Sequence, residues 1–544
     1  MERWALATFV ASLETQREVE QRARAKRIRE RGFGALLIGG LTLFAVAVGG
    51  YHPFAEDGGL YVAGVKRLLD PALYPQGTEF VLEPTRLSLF APVVAGIVRG
   101  SHLGLPAVLL GLHLASVAAT LWAAWMLAGR CWRGREARVG AVVLLACWLS
   151  LPVAGTALML MDPYVTARSF STPCMVLALV GMLDWTEWDA AGATRWRGLA
   201  LWVGSLAVAV AMHPLMAAYA AGATLVLACV RSSRRGVRVW GTAALCGAAV
   251  ALAGFVQAMA RPESMEYVRV AMTRTYWFPA EWRWFEWMGL MAPLAILAGV
   301  GWAQTRAAEV ERTVARMAVA VGATAWVIAV LFARAGAPTH LVARVQPLRA
   351  FQIVYVVMVL ALGAKFGETL LRRSAWRWAA AMVLLGGVML GAARDAFPNT
   401  EHLELPGMGS RNAWVRAFEW IRQNTPKDAL FALDADYINA RHEDAQCFRA
   451  IAERSALPDY SKDGGEASIA PELTGAWQVG QAAQQGLSGK LQARWGATDG
   501  AEADGTRVRA LAPLGVTWVV MRDQAVTNFE CPYANDVVKV CRLR

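Results

Sequence analysis

Apolar blocks alternate with short arginine-rich segments along most of the chain. A helix of ~20 mainly apolar residues is long enough to cross a bilayer, so the pattern predicts about eleven transmembrane helices. Their predicted bounds are residues 34–50, 104–128, 139–158, 171–185, 198–214, 216–230, 238–258, 287–303, 315–333, 350–365 and 377–393. The apolar segment 88–99 is shorter, so we expect a helix at the outer membrane interface there instead of a span.

The arginines and lysines between these blocks predict how the bundle lies in the membrane. They cluster in every second connection, at residues 130–138, 195–197, 231–238, 306–316 and 365–377. Short cytoplasmic loops are enriched in lysine and arginine, so these connections and the N-terminus are expected inside. The connections 51–103, 159–170, 259–286 and 334–349 are then outside, as is everything after residue 394. Counting 88–99 as a span would reverse every later connection and break the rule.

The composition agrees with a membrane protein. The chain has 544 residues, of which 56% are hydrophobic and 18% are charged. Soluble domains are about 25% charged. The formal net charge is +12, but the excess arginines lie in the predicted cytoplasmic connections. No basic stripe is interleaved with exposed aromatic residues, so nucleic acid is not an expected partner.

The pattern changes near Asp395, where a linker rich in proline and glycine begins. Apolar residues at helical spacing follow between Asn412 and Ile421, and runs at 430–433, 516–520 and 537–540 predict strands. These elements predict an extracytoplasmic α/β domain of ordinary size. In an oxidising compartment Cys531 and Cys541 are able to form a disulfide in it.

The predicted fold class is therefore an all-α polytopic membrane bundle with its N-terminus inside and its C-terminus outside, joined to a C-terminal α/β domain. The predicted divisions are a basic cytoplasmic segment at 1–32, a transmembrane domain at 33–394 with the long first external loop 51–103, and the extracytoplasmic domain at 395–544.

The most informative charged segment is residues 51–61, directly after the first predicted span. It contains the acidic pair Glu56-Asp57, followed by Gly58-Gly59. Acids and arginines near hydrocarbon are costly and usually mark a site. One of the two carboxylates is suited to act as a general base on an acceptor hydroxyl, or to orient it. A turn or helix cap at this position is the structural alternative.

Other external loops carry further candidates. Asp162 and Arg168 lie in the connection 159–170, where a turn and an arginine reaching to the interface are the structural explanation. Arg344 and Arg349 lie in the last external connection. Arginine suits bidentate binding of phosphate, whereas anchoring at the interface is the alternative for both residues.

Two histidines and one further charged segment belong to the same predicted outer side. His52 precedes the acidic pair, and His213 lies where a span reaches the outside. A lone histidine in such a place is more often a structural residue than a ligand. The segment 462–465, Lys-Asp-Gly-Gly, could bind a polar substrate, but a turn is the simpler explanation.

In these features the chain resembles the GT-C superfamily of integral-membrane glycosyltransferases, which use polyprenyl-phosphate sugars as donors. The resemblance rests on one span with its N-terminus inside, a long external first loop that opens with an acidic pair and holds interfacial helices, further spans, and a C-terminal external domain. The segments 52–61, 168–173 and 452–455 look similar to a bacterial branch of that superfamily.

The resemblance implies roles for the candidate residues. The first-loop acid, Asp57 or Glu56, would serve as base or metal ligand, and arginines of the external loops would hold the donor phosphate. The predicted substrate-binding residues are His52, Asp162, Arg168, His213, Arg344 and Arg349. A divalent cation is a possible cofactor, since some members need one. No WWDYG-like acceptor motif is present, so transfer to asparagine on proteins is not expected.

The implied partners are a polyprenyl-phosphate-linked sugar, a lipid, glycan or protein acceptor, and the bilayer of a bacterial plasma membrane, with the C-terminal domain in the periplasm. Two other functions fit a membrane protein of this kind. A transporter or flippase of a lipid-linked substrate predicts charged or broken segments near mid-membrane and repeat symmetry. A non-catalytic scaffold predicts that Asp57, Asp162, Arg168 and Arg349 are scattered in space.

Overall fold

The computed structural model describes residues 30, 32–187, 192–302, 309–439, 443–487 and 500–543. Most of the predicted basic segment 1–32 lies outside the described residues. The helices of the first 396 residues are α1 (Gly32–Gly49), α2 (Glu56–Leu69), α3 (Thr78–Leu82), α4 (Phe90–Ser101), α5 (Leu105–Cys131), α6 (Arg135–Cys147), α7 (Ala167–Trp185), α8 (Gly192–Met212), α9 (Pro214–Arg231), α10 (Val237–Met259), α11 (Met265–Met272), α12 (Trp284–Trp302), α13 (Glu309–Phe332), α14 (Leu341–Arg344), α15 (Phe351–Phe366) and α16 (Ala375–Ala396).

These helices form the bundle of a multi-pass membrane protein. Among the described residues, 8 helices are long and apolar enough to cross a bilayer. They are α1, α5, α9, α10, α12, α13, the helical segment Leu341–Leu371 that contains α15, and α16. The other predicted spans are helical too, at α6, α7 and α8. The total of about eleven spans remains a prediction.

Burial distinguishes the inner helices from the outer ones. Almost every residue of α15 is buried, and it packs against α6, α12 and α13. The apolar helix α10 has no buried residue at all. A helix that is apolar all round and unburied within the protein is suited to face lipid.

One predicted span is wrong in its second half. The segment predicted as a helix over 139–158 is helical only to Cys147, where α6 ends. A two-stranded hairpin follows, made of β1 (Pro152–Val153) and β2 (Leu158–Met159). Proline has no backbone N–H to continue a helix, and Gly155 between the strands takes a left-handed φ of 67°.

A short helix lies where the sequence predicts one at 88–99. The 12 residues of α4 are too few to cross a bilayer alone. The helical stretch Thr78–Thr85 precedes α4 at a bend of 94°, and the two together would count as a ninth, broken span.

The C-terminal part combines helices with a mixed sheet. Its helices are α17 (Ala413–Asn424), α18 (Phe448–Ala452), α19 (Lys462–Ile469), α20 (Thr474–Gln484) and α21 (Gly500–Leu511). Its strands are β3 (Leu430–Ala432), β4 (Ser455–Ala456), β5 (Trp518–Arg522), β6 (Tyr533–Ala534) and β7 (Val538–Arg542). The 5-stranded sheet has the order β4-β3-β5-β7-β6, with β3 parallel to β4 and β5 and the other pairs antiparallel.

Several sequence-based predictions for this part are confirmed. The predicted helix after Asn412 is α17, and the Asn412 side chain accepts hydrogen bonds from the first backbone N–H groups of that helix. Strands β3, β5 and β7 lie in or overlap the predicted runs. Cys531 and Cys541 form the predicted disulfide, and Cys447 is free and buried.

The C-terminal part contacts the loops that the sequence assigns to the outer side. Backbone bridges join Tyr51 to Leu403 and Ala55 to Gln446. The guanidinium of Arg274, in the connection 259–286, donates to two carbonyl oxygens just before α19 at 2.7 and 2.8 Å. These contacts bring the first loop, the connection 259–286 and the C-terminal part together at one end of the bundle.

Candidate functional site

The acidic pair stands in the first turn of α2, at a strained corner of the first loop. Glu56 has a φ of 50°, in the left-handed region that costs a non-glycine residue on the order of 1 kcal/mol. Its backbone N–H donates to the carbonyl oxygen of Ala445 at 2.8 Å. The C-terminal part therefore holds the corner that presents the two carboxylates.

The two glycines after the acidic pair allow α2 to approach its neighbours. A Cβ atom on Gly58 would collide with the side chain of Tyr164, and one on Gly59 would collide with Cys447. A larger residue at either position would therefore push α2 away from the connection 159–170 or from the C-terminal part. The Glu-Asp-Gly-Gly pattern thus combines the acids with the small residues needed to place them.

Asp57 lies between two cations that come from distant parts of the chain. Its Oδ2 accepts a hydrogen bond from Nη2 of Arg168 at 3.0 Å, and its Oδ1 accepts one from Nζ of Lys462 at 3.1 Å. Lys462 also forms an ion pair with Glu56. Arg168 donates in addition to Oδ2 of Asp162 from the same Nη2, at 3.0 Å.

The chain positions Arg168 through the first turn of α7. At this helix start the backbone N–H of Thr166 donates to Oγ of Ser169 at 3.1 Å, and the backbone N–H of Ser169 donates to the carbonyl oxygen of Thr166 at 3.0 Å, which fixes the direction of that turn. The side chains of Arg168 and Asp162 are 8% and 7% exposed, whereas those of Asp57 and Glu56 keep 29% and 36%. The acidic pair is therefore the part of the site open to a substrate, with the other pair buried behind it.

The charges around the carboxylates set their pKa values. Burial alone would raise the pKa of Asp57, but the charges and hydrogen bonds of Lys462 and Arg168 bring it below the ordinary value. Burial raises the pKa of Asp162, because its pairing with Arg168 does not fully offset the loss of water. Burial alone would lower the pKa of Lys462, but Asp57 and Glu56 raise it, so this lysine is charged at neutral pH.

Arg349 is a further cation near this site, and none of the described carboxylates is in contact with it. It lies in the 3-10 turn Pro347–Ala350 that leads into α15. Within the described residues, no ion pair of its guanidinium is found, and its Nε is buried without a hydrogen-bond partner. Among the charged groups that act on it are Arg168 and Asp57. A guanidinium that is largely removed from water and unpaired is suited to bind an anion.

Three more side chains lie within electrostatic range. His213, at the start of α9, lies near Arg349, Arg168 and Asp57. Burial raises the pKa of Tyr61 to about 12, so its hydroxyl stays protonated. Glu466 stands one helical turn after Lys462 on α19, and burial, with the nearby charge of Asp57, raises the pKa of this carboxyl to about 8.

We call Glu56, Asp57, Asp162, Arg168, Arg349 and Lys462 the charged cluster. The structure brings six sequence-predicted residues to it or beside it: Glu56, Asp57, Asp162, Arg168, His213 and Arg349. Lys462 belongs to the segment 462–465, for which the sequence favoured a turn over a substrate site, and Glu466 was not a candidate. Only the repeated Asp-Gly-Gly, at 57–59 and again at 463–465, marks their segment in the sequence.

The structure does not bring His52 and Arg344 to the cluster. His52 is fully buried, pairs through Nδ1 with Glu404 at 2.7 Å and stacks on Phe397. Arg344 donates to Glu263 at 3.0 Å and covers the ring of Tyr267. Both residues therefore tie loops together, which corrects their predicted position in the substrate site.

The residues of the cluster do not fit a metal centre. No group of three or more His, Cys, Asp and Glu side chains among the described residues could hold a metal ion. The three carboxylates of the cluster are instead interleaved with Lys462 and Arg168.

A cleft is lined by residues of the first loop, the start of α5 and the C-terminal part. Its volume is about 600 Å³, and Tyr51, Phe54, Lys66, Leu405 and Glu419 are among the residues that line it. Neither Glu56 nor Asp57 lines this cleft. We identify the charged cluster as the candidate site because its side chains carry the chemistry, whereas cavity size alone does not.

No protein-family model matches the chain, and no curated protein matches it. The function is therefore inferred from the residues and their geometry.

Proposed function

We propose that the chain is a membrane glycosyltransferase that moves a sugar from a polyprenyl-phosphate donor to an extracytoplasmic acceptor. The observation that carries the proposal is the ion pair between a first-loop carboxylate, Asp57, and Arg168, with the guanidinium of Arg349, which has no ion pair among the described residues, within electrostatic range of both. These residues come from three separate connections and meet at one end of an apolar helical bundle. A lipid phosphate at the membrane surface would meet cations there while its chain stays in the bilayer.

The chemistry needs few protein groups, because a polyprenyl phosphate is already a good leaving group. The acceptor oxygen forms a bond to the anomeric carbon, and the bond from that carbon to the phosphate oxygen breaks. Its electron pair leaves with the polyprenyl phosphate, whose growing negative charge Arg349 and Arg168 stabilise. The proton of the acceptor hydroxyl passes to the carboxylate of Asp57 and then to water.

The proposed placement is a bacterial plasma membrane, with about eleven spans, the N-terminus inside and the C-terminal part in the periplasm. The contacts between the predicted outer loops and the C-terminal part support a common side for all of them. The Cys531–Cys541 disulfide supports an oxidising compartment for that side.

The two alternative functions, a scaffold and a transporter, predict different positions for the charged residues. A scaffold predicts scattered charges, so the convergence of Asp57, Asp162, Arg168 and Arg349 supports the enzyme. A transporter predicts charges at mid-membrane. The charges here gather instead at the bundle end that carries the C-terminal part.

The test is a transfer assay with purified protein in lipid vesicles. Polyprenyl-phosphate sugars carrying a radiolabelled hexose or pentose are offered to native acceptor lipids, with wild type beside Asp57→Asn and Glu56→Gln. We expect wild type to transfer and Asp57→Asn to be slower by about 10²–10⁴-fold, the usual contribution of a general base.

The matched control is Asp70→Asn, which changes an exposed carboxylate at the other end of α2. It should leave transfer unchanged. A wild-type rate that survives Asp57→Asn would remove Asp57 as the base. A rate that collapses only in Glu56→Gln would assign that role to Glu56.

A further inference from the structure

Lys462 is held rigidly at the start of α19 while its side chain crosses to the first loop. Its backbone N–H donates to Asp459, and the next residue, Asp463, accepts two hydrogen bonds from Nη1 of Arg449 at 2.7 and 2.9 Å. Both Arg449 and Asp463 are buried. The C-terminal part therefore presents one ammonium group to the acidic pair from a fixed helix end.

In this arrangement, Lys462 and Arg168 together make Asp57 a poor base. Each of the two oxygens of Asp57 is occupied by a cation, at 3.1 and 3.0 Å. A general base works best when its pKa lies near the working pH. Two cationic partners make a carboxylate far less basic than a base with such a pKa. Asp57 must lose one partner before it can take a proton efficiently.

Lys462 is the partner that can leave. Arg168 is also bound to the buried Asp162, whereas the ammonium of Lys462 pairs, among the described residues, only with Asp57 and Glu56, the two partly exposed acids of the cluster. A lysine ammonium is a compact charge on a flexible stem, so it can change partners without moving its helix. Arg349 is a cation without an anionic partner among the described residues, so its guanidinium marks where the phosphate would bind.

We propose that Lys462 exchanges partners during the reaction. It holds Asp57 and Glu56 in the donor-free protein and turns to the donor phosphate on binding, which frees Asp57 to accept the acceptor's proton. The inference rests on the proposed function and adds an order to it: the donor binds first, and only then is the acceptor hydroxyl activated. The C-terminal part is then a component of the active site and not an appendage.

The experiment measures how strongly the protein prefers a lipid phosphate over the matching neutral lipid. Undecaprenyl phosphate and undecaprenol are titrated into protein in nanodiscs of zwitterionic lipid, with binding followed by tryptophan fluorescence. Wild type, Lys462→Gln and Lys427→Gln are compared. Lys427 is the matched control, since it also joins the C-terminal part to the first loop, through an exposed ion pair with Asp70 at 3.1 Å.

We expect wild type and Lys427→Gln to bind the phosphate at least about tenfold more tightly than the alcohol, and Lys462→Gln to lose about tenfold of that preference. If Lys462→Gln keeps the full preference, the proposed exchange of partners is wrong, and Lys462 only holds the C-terminal part to the first loop. If wild type shows no preference at all, the proposed function fails first, which is a distinguishable result.

A double-mutant cycle covers the case in which Lys462→Gln folds poorly. Glu56→Gln removes one competitor for the ammonium, so phosphate binding should tighten in that variant. The gain should shrink when Glu56→Gln is combined with Lys462→Met, because the two residues then act through each other. Equal gains with and without Lys462 would overturn the proposal.

Discussion

Removal of Arg349 and removal of Arg168 should have different effects on stability, although both should weaken donor binding. Arg168 lies between Asp57 and Asp162, at 3.0 Å from each. Asp162 is 7% exposed and has no other ion-pair partner among the described residues. Arg168→Met would leave that carboxylate buried and unpaired, which costs about 3–5 kcal/mol.

Arg349→Met removes a cation that has no ion pair to lose among the described residues. The guanidinium is repelled by Arg168, and its Nε is buried without a hydrogen bond. Replacing such a charge by an apolar side chain of similar length should leave the free energy of unfolding unchanged or raise it by about 1 kcal/mol. Loss of its hydrogen bonds to the donor phosphate should still weaken donor binding by about 10- to 100-fold.

The assay is thermal unfolding in detergent, followed by tryptophan fluorescence, beside donor binding for the same preparations. The expected pattern is a lower apparent Tm for Arg168→Met, an equal or higher one for Arg349→Met, and weaker binding for both. A fall in Tm for Arg349→Met as large as that for Arg168→Met would mean that Arg349 has a structural partner. Unchanged donor binding would refute its role as a phosphate ligand.

Three further results follow from the structure. Burial, with the charge of Asp57, raises the pKa of Glu466 to about 8. The stability contributed by this carboxyl is therefore full below the pKa of the unfolded carboxyl, and it is lost as the pH rises from there through the folded pKa. Glu466→Gln should have a higher apparent Tm than wild type at pH 9 and nearly the same one at pH 5. Gly59→Ala should destabilise the protein by about 1–3 kcal/mol and impair transfer, because its Cβ would collide with Cys447. Gly96→Ala in α4, where a Cβ would meet nothing within 4 Å, should do neither in the same unfolding and transfer assays. Replacing Cys531 and Cys541 by serine should destabilise the C-terminal sheet by about 2–3 kcal/mol through loss of the bond across 10 positions, and a reducing agent should lower the Tm of wild type but not of that variant.

Hydrophobic periodicity and capping residues correctly predicted elements that depend only on nearby residues. Apolar blocks marked the long helices, and the helix after Asn412 follows from its spacing and its cap. The error at 139–158 arose because hydropathy gave too little weight to Pro152 and Gly155, which turn the chain into a hairpin. Asp57 and Arg168, which the structure brings together, could be chosen as candidates because charges beside hydrocarbon are costly anywhere in a sequence.

Pairings across long sequence distances could not be predicted in this way. Lys462 is 405 positions from Asp57, and only the docking of α19 on the first loop brings them together. His52 stands four residues before Glu56, but its partner is Glu404, so it belongs to the linker contact and not to the site. Arg344 likewise pairs with Glu263, in a different connection.

The most direct test of the central claim is to count both products of one reaction. Purified protein in vesicles receives a donor labelled with one isotope in the sugar and another in the polyprenyl phosphate, together with native acceptor lipids. We predict that sugar on the acceptor and free polyprenyl phosphate appear in equal amounts with wild type, and that both fall together by about 10²–10⁴-fold with Asp57→Asn. Donor that crosses the vesicle membrane intact, with no polyprenyl phosphate released by either protein, would contradict the account and favour a flippase.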